Sequence, residues 1–482
     1  MNNMTAYNKV FYFLVLLIIF PAFQGCKMLW RSVRYNAPGV TDYQLFASHP
    51  IHREGEVSPF VRSTRNQLPP AADWAQGKWF KEGMSSEDYL RKTGTAAFLV
   101  LHNDTLVYEK YFDGFEEDDL FNSFSMSKVY LSALVGIALE EGLIDSLSQS
   151  VADYLDFCQD SSLRQIQIGH LLQMTSGLKS SEGYLNPWAT STKLYYGDQL
   201  SNILAKLELA KPPGSSFKYQ NISSQLLGMV IAQATGRSLS QYLEEKIWQP
   251  LGMEADASWS LHEGTQVEKA FCCLNARARD FARFGQLVLN RGHHKGQQLI
   301  PENWLRQSVS IDTVAGSRQR YQNAWYLTAE EEDFYAQGLL GQFTYICPRT
   351  RTIIVRLGHS LDYNVPWYDN FKILASLKTK PVPTPFHKRD LKKFAGNYVF
   401  GLSNLADTSL VGKVAQFRAR RKGLRIRTEF GKNWWALPNS DTTFFNVKYG
   451  RNLYFRPDSS GKMGAHWERR GNSWDLSKQT EE

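Results

Sequence analysis

Ser125 and Lys128 stand three residues apart at the head of an apolar stretch that runs from Val129 to Gly142. Leu131, Ala133, Leu134, Val135, Ile137, Ala138 and Leu139 leave that stretch almost no polar face. A helix that is apolar all round is a buried helix, and residues three apart share one of its faces. A buried ammonium loses hydration, so its pKa falls toward neutrality. It can then take a proton from a neighbouring hydroxyl, which makes Ser125 a nucleophile. The bland reading of the same pair is a helix cap followed by a lysine whose stem lies along apolar surface. The spacing recurs at Ser176/Lys179, Ser215/Lys218 and Ser459/Lys462, but in Gly-, Pro- and Ser-rich loop contexts where a solvated lysine is expected. A second group of chemistry-bearing residues is Tyr219-Gln220-Asn221, which follows a Pro212-Pro213-Gly214 turn and leads into another apolar helix. A tyrosine beside a lysine can be held as phenolate or hand a proton along, and an asparagine can bind a carbonyl.

The elements that must position these groups are legible in outline. Two β-rich runs, Thr95–Leu101 and Thr105–Tyr111, surround Asn103-Asp104 and predict a hairpin. Helical pieces are expected over Val151–Leu155, Ile166–Met174, Ser223–Thr235, Ser240–Trp248 and Arg279–Leu289, with Gly142, Gly236 and Gly292 as stops. Ser180–Tyr196 reads as an aromatic loop. Strand character returns at Ala324–Leu327, Phe343–Cys347 and Ile353–Leu357. Strands at both ends of a helical middle predict one sheet built from distant segments, an α+β domain.

At the amino end, Val10–Phe23 is a nearly pure apolar run preceded by Lys9, and Gln24-Gly25-Cys26 follows it. The run fits a signal-peptide core and is short for a membrane span. The small residue before Cys26 resembles a bacterial lipoprotein processing site, with an uncleaved signal anchor as the alternative. Either predicts a protein body outside the cytoplasm, attached to a membrane. Cys158, Cys272, Cys273 and Cys347 form no disulfide framework, and no Cys-x-x-Cys or His-Glu-x-x-His pattern occurs. The expectation is no metal and no cofactor.

At the other end, Pro381-Val382-Pro383-Thr384-Pro385 predicts a stiff linker. Seven short β runs follow between Gly396 and Glu468, which predict a small all-β module. Residues 387–482 hold 19 Lys and Arg against 9 Asp and Glu, a balance of +10, while the whole chain is +8. The basicity therefore belongs to the tail, as a solvated strand face or as attraction to an anionic surface. No nucleic-acid motif accompanies it. The expected organisation is a signal peptide over 1–26, a lead-in over 27–90, the α+β domain over 91–380, a linker over 381–386 and the β module over 387–482.

Several segments together resemble the serine β-lactamase-like superfamily, and more narrowly its class C-related esterases and 6-aminohexanoate-dimer hydrolases. They are Ser125-Met126-Ser127-Lys128, His170 to Leu178, Pro212 to Asn221, Ala234-Thr235-Gly236, Pro250-Leu251-Gly252-Met253 and Ala278 to Gly285. The resemblance implies a β-lactamase/transpeptidase-like fold. It implies that Ser125 is acylated, Lys128 activates it, Tyr219 shares proton transfer and Asn221 holds an acyl-side amide. Where the family has a Lys- or His-x-Gly strand, this chain has Ala336-Gln337-Gly338. The implied oxyanion hole is the backbone N–H of Ser125 and of Leu339, with Gln337 and Gly338 beside the substrate. Ser181-Glu182-Gly183-Tyr184 resembles a substrate-side loop, so Tyr184 is a candidate contact or a packed aromatic. Leu391–Tyr398 is similar to the start of small lipocalin-like domains appended to such hydrolases.

Alanine in the cation position matters, because β-lactams and D-Ala-terminated peptides carry a carboxylate that a cation would meet. The expectation is an envelope serine hydrolase acting on a neutral ester or amide. The alternatives are a penicillin-recognising D-amino-acid peptidase and a catalytically silent binding or sensor protein of the same fold.

Overall fold

The computed structural model describes residues 31–377, apart from 32–33, 36, 65, 185, 199, 312–319, 329–332 and 360–364, and eight strands between 396 and 478. The expected signal segment with Cys26 and the Pro-rich linker at 381–386 lie outside the described residues. The chain divides into two compact units. One takes 1–59, 69–99 and 110–375, and the other takes 60–68, 100–109 and 376–482.

The hairpin forms at the expected place. Thr95–His102 and Thr105–Tyr111 flank Asn103 and Asp104, whose φ angles are 48° and 65°. Two successive left-handed residues make the turn whose twist matches a hairpin, and Asn and Asp tolerate that geometry. In the first unit Tyr321–Gln322, Trp325–Leu327, Phe334–Gly338, Gln342–Cys347 and Thr352–Gly358 pair antiparallel in that order, and the Thr95 strand lies next to Thr352–Gly358. A strand from early in the domain thus joins its last strand, as the sequence pattern implied. Gln342–Cys347 and Thr352–Gly358 are buried along their whole length because helices cover both faces. On one face Gly285 of the helix Ala278–Leu289 lies so close that a Cβ there would come within 3.0 Å of Ile353 and Thr344. On the other, Phe371 of the helix Trp367–Ser376 meets Phe98, Phe343 and Tyr345.

A second sheet of the same unit orders Ser48–Ile51, Ala257–Ser260, Leu274–Ala276 and Phe121–Asn122. Ser48–Ile51 belongs to the stretch expected to be a lead-in. It is instead an edge strand of the domain, with Ile51 fully buried. Four residues are too short to show a period, which is why the sequence alone concealed it.

The apolar helix spans Ser127–Glu140, and everything from Ser127 to Ala138 is buried. Each such aliphatic side chain contributes about 1.5–3 kcal/mol of burial. Gly136 sits against the Trp304 ring, where a Cβ would come within 2.3 Å. Gly142 closes the helix at φ 68°. The second apolar helix, Asn221–Thr235, ends on Gly236 at φ 64°. The stretch expected as a loop over Ser180–Tyr196 contains a helix at Thr190–Tyr196. Its Thr and Tyr residues are weak helix formers, but Leu194, Tyr195 and Tyr196 are fully buried, and packing overrides propensity.

In the second unit Val61–Arg62 pairs in parallel with Thr105–Leu106. Its carboxyl-terminal strands form a closed barrel of eight antiparallel strands from Gly396–Phe400 to Asn472–Lys478. The seven expected β runs are present, and the eighth strand closes the ring by pairing with the first.

Candidate active site

Ser125 lies in a 3-10 turn, Phe124–Met126, that feeds into the apolar helix. This refines the sequence expectation, which placed it on the helix proper. In a 3-10 turn side chains at i and i+3 eclipse one another, and Lys128 Nζ donates to Ser125 Oγ at 3.0 Å. Between Phe121 and Ala138, Ser125 is the residue that keeps partial exposure, while its neighbours are buried. Phe124 before it has φ 46°, a left-handed conformation that strains a bulky residue. Asn122 Oδ1 holds it by accepting from the Phe124 N–H at 2.9 Å, and the Ser123 N–H donates to the Leu274 carbonyl at 2.9 Å.

Lys128 is 3% exposed. Besides Ser125, its Nζ donates to the Phe271 carbonyl at 2.6 Å and to Asn221 Oδ1 at 3.0 Å. Desolvation lowers its pKa to about 7, against a smaller opposing pull from Glu182. A neutral amine has two N–H bonds and one lone pair. With Phe271 and Asn221 taking the two hydrogens, the lone pair is left facing the Ser125 hydroxyl. The Phe271 carbonyl is itself set by the Asn221 helix. Gln225 accepts from the Ala270 N–H at 3.1 Å and donates to the Glu268 carbonyl at 3.0 Å.

Tyr219 arrives on the turn after Pro212-Pro213-Gly214. That turn interlocks with Thr175-Ser176-Gly177. The Gly214 N–H donates to the Thr175 carbonyl and the Lys218 N–H to the Met174 carbonyl, both at 2.8 Å. Gly177, at φ 73°, leaves no room for a Cβ, which would lie 2.2 Å from the Lys211 carbonyl oxygen. The Tyr219 ring centroid is 5.1 Å from Lys128 Nζ, and the Ser125 side chain is near enough to pull the phenol's pKa down in part. Burial, then the nearby Tyr326 and Tyr321 phenols, push its pKa well above the ordinary value. Tyr219 is therefore a neutral phenol at neutral pH, and the phenolate alternative raised by its neighbouring lysine does not hold.

Asn221 is held within the cluster by several hydrogen bonds. Its Oδ1 is taken by Lys128, and its Nδ2 donates to Glu182 Oε2 at 2.9 Å, Ser191 Oγ at 3.2 Å and the Tyr184 hydroxyl at 3.3 Å. The side chain bridges the lysine to a carboxylate, and its polar atoms are already engaged. Tyr184 is thereby brought to the cluster, and its ring meets Tyr195 edge-on at 5.8 Å. Glu182 was missed as a member of the site. The residue as a whole is exposed, but burial around its carboxylate raises its pKa and hydrogen bonds from Ser191, Asn221 and Ser180 partly offset this. Nothing local marks a carboxylate in a polar loop as inward-facing.

Gly338 packs on the nucleophile's turn. A Cβ there would lie 2.5 Å from the Ser123 carbonyl oxygen and 3.1 Å from Phe124 Cβ. Leu339 follows Gly338 directly, at the strand's end. Ala336 is fully buried on the same face as Gly338, so no cation stands there. Gln337 alternates to the opposite face with Tyr335, which stacks on Tyr326 and on Tyr368 of the last helix. The strand's pleat thus places Gln337 on the face opposite Ala336 and Gly338.

The other Ser-x-x-Lys pairs separate cleanly. Lys179 makes an exposed ion pair with Glu208 at 2.6 Å, and Lys218 donates to the Ser180 carbonyl at an exposed position. Ser459 and Lys462 lie outside the described residues. Among the described residues no group of three or more His, Cys, Asp or Glu could hold a metal ion.

An α+β domain with a serine on a short turn, a buried lysine one turn on and a phenol against both is the architecture of a serine hydrolase. The chain matches the beta-lactamase family over residues 84–376, well over half its length, and belongs to that family. A 6-aminohexanoate-dimer hydrolase of Paenarthrobacter ureafaciens is 26% identical over 295 residues, which cover 56% of this chain and 74% of that one. A solved structure from Bacillus anthracis, assigned to the 6-aminohexanoate-dimer hydrolases, superposes with a TM-score of 0.61 at 26% identity. It covers 71% of this chain and 93% of that one.

Proposed function

We propose that this serine hydrolase cleaves a neutral ester or amide through an acyl-enzyme on Ser125. The observation that carries the reading is Lys128 Nζ at 3.0 Å from Ser125 Oγ, buried, with its pKa near 7 and both of its N–H bonds directed elsewhere. Lys128 takes the hydroxyl proton as Ser125 Oγ bonds to the substrate carbonyl carbon, and the carbonyl π pair moves to oxygen. The Ser125 and Leu339 N–H groups face that oxyanion. One such donor is typically worth about 10²–10³ in turnover. The proton then passes by way of the Tyr219 phenol to the leaving oxygen or nitrogen as its bond to carbon breaks. Water repeats the sequence on the acyl-enzyme and restores Ser125.

The neutral substrate is supported by Ala336, whose methyl group offers no partner to a carboxylate. The amide alternative within that class is supported by the likeness to proteins named for 6-aminohexanoate-dimer hydrolysis. Placement in the cell envelope through a lipid on Cys26 is supported by the apolar Val10–Phe23 run and the small residue before the cysteine.

The test is a substrate panel on the protein lacking its first 26 residues: short and long p-nitrophenyl esters, a linear aminohexanoate dimer, a chromogenic cephalosporin and D-alanyl peptides. Ester or amide turnover that vanishes in Ser125→Ala is the expected result. Preferential turnover of cephalosporin or D-alanyl peptide would overturn the substrate class in favour of a cell-wall peptidase. No turnover and no labelling of Ser125 by a fluorophosphonate would leave a binding protein.

A further inference from the structure

Arg356 lies in the Thr352–Gly358 strand and is 1% exposed. Its Nη1 donates to the carbonyls of Leu340 at 3.1 Å and Gly341 at 2.6 Å. Its Nη2 donates to the carbonyls of Thr93 at 2.8 Å and Gly94 at 3.2 Å, and its Nε to Thr95 Oγ1 at 3.1 Å. The Trp367 ring covers the guanidinium, with its centroid 4.1 Å from Cζ. Two glycines make room for it. A Cβ on Gly341 would stand 2.1 Å from Nη1, and one on Gly358 would stand 2.4 Å from it.

The turn that Arg356 holds is strained. Leu340 has φ 61° and Gly341 has φ 77°, and a leucine occupies that region only when its surroundings impose it. The same short stretch has two attachments. Gly338 at its start packs on the Ser123 carbonyl, and the carbonyls at its end are held by Arg356. The arginine thus sits behind the backbone that runs past the nucleophile.

We propose that Arg356 is a positioning residue of the oxyanion site: its planar fork clamps the Leu339–Gly341 turn so that the Leu339 N–H faces the carbonyl oxygen of a substrate at Ser125. The proposal rests on the acyl-enzyme reading above. Donors fixed in advance stabilise developing charge without reorganising at the moment of reaction. Lysine is a point charge on a flexible stem and cannot make five bonds in one plane. Because the oxyanion exists only in the tetrahedral state, loosening the clamp lowers kcat and leaves KM.

The experiment compares Arg356→Lys, Thr95→Val and Ser125→Ala with the parent chain on p-nitrophenyl acetate, with Tm measured for each. Arg356→Lys is expected to lower kcat by about 10- to 100-fold with KM within about twofold, and Thr95→Val by a few-fold in the same sense. Affinity for a phenyl trifluoromethyl ketone, to which Ser125 adds to leave an oxyanion, is expected to fall by the same factor as kcat/KM. An unchanged kcat in a folded Arg356→Lys, or a loss confined to KM, overturns the proposal. Should Arg356→Lys fail to fold, an unchanged kcat and ketone affinity in Thr95→Val overturns it. An inert Ser125→Ala beside a fully active Arg356→Lys removes the clamp and leaves the hydrolase reading standing. Activity surviving in Ser125→Ala removes the reading itself.

Discussion

Asn221 presents its Oδ1 to Lys128 at 3.0 Å and its Nδ2 to Glu182 at 2.9 Å, so one buried amide joins the base to a carboxylate. The carboxylate's field raises the lysine's pKa, against the larger lowering by desolvation. The proposed mechanism needs the neutral amine, so kcat/KM should fall with decreasing pH through a single ionisation near pH 7. Glu182→Gln keeps an acceptor for Asn221 but removes the charge. Its acid limb should move to lower pH, as measured in a pH–rate profile. A limb that moves up or stays in place would contradict the coupling.

Lys269 provides a control for burial without chemistry. It is fully buried, donates to the Tyr195 carbonyl at 2.9 Å, and desolvation lowers its pKa to about 7, as for Lys128. Below their ordinary value of 10.5 both lysines take up a proton more readily in the unfolded chain. The unfolded state therefore binds more protons between about pH 7 and 10.5, and this contribution to stability grows as pH rises through that window. Lys269→Met should stabilise the fold at pH 7 by on the order of 1–4 kcal/mol with activity retained. Lys128→Met should also stabilise it but lose activity by 10³-fold or more. Thermal unfolding and ester hydrolysis on the two variants check both outcomes.

Tyr219→Phe separates proton delivery from nucleophile activation. In the proposed mechanism the phenol, its pKa pushed well above the ordinary value, serves the leaving group. Its loss should lower amide hydrolysis by about 10²–10⁴-fold. A p-nitrophenolate departs without a proton, so that ester should lose less. Equal losses on both substrates would show that Tyr219 acts earlier.

Gly338→Ala should fold and fail in turnover. The added Cβ, 2.5 Å from the Ser123 carbonyl oxygen, must push the strand end away from the nucleophile's turn. A kcat loss of about 10²–10³, the size of a lost oxyanion donor, is expected together with a lowered Tm in a protein that still folds. Steady-state kinetics and calorimetry on the variant test this.

The residues themselves determined a good deal. The solid apolar run after Ser125 required a buried helix, and the Asn103-Asp104 pair required a hairpin. The alternating runs after Gly396 required a β module, although strand Asn472–Lys478 was missed because polar residues dominate it. The candidate reactive residues could be named because their types and order are local facts. Among the three described Ser-x-x-Lys pairs, tertiary structure singled out the one whose lysine is buried, since only distant chain, here Phe271 and Asn221, desolvates it. It also turned Glu182 inward, made Asn221 a bridge, kept Tyr219 a neutral phenol and carried Gln337 to the far face. Protonation states and bond partners depend on what is buried against what. That arrangement is fixed between segments from about forty to more than a hundred and forty residues apart, where no spacing in the chain records it.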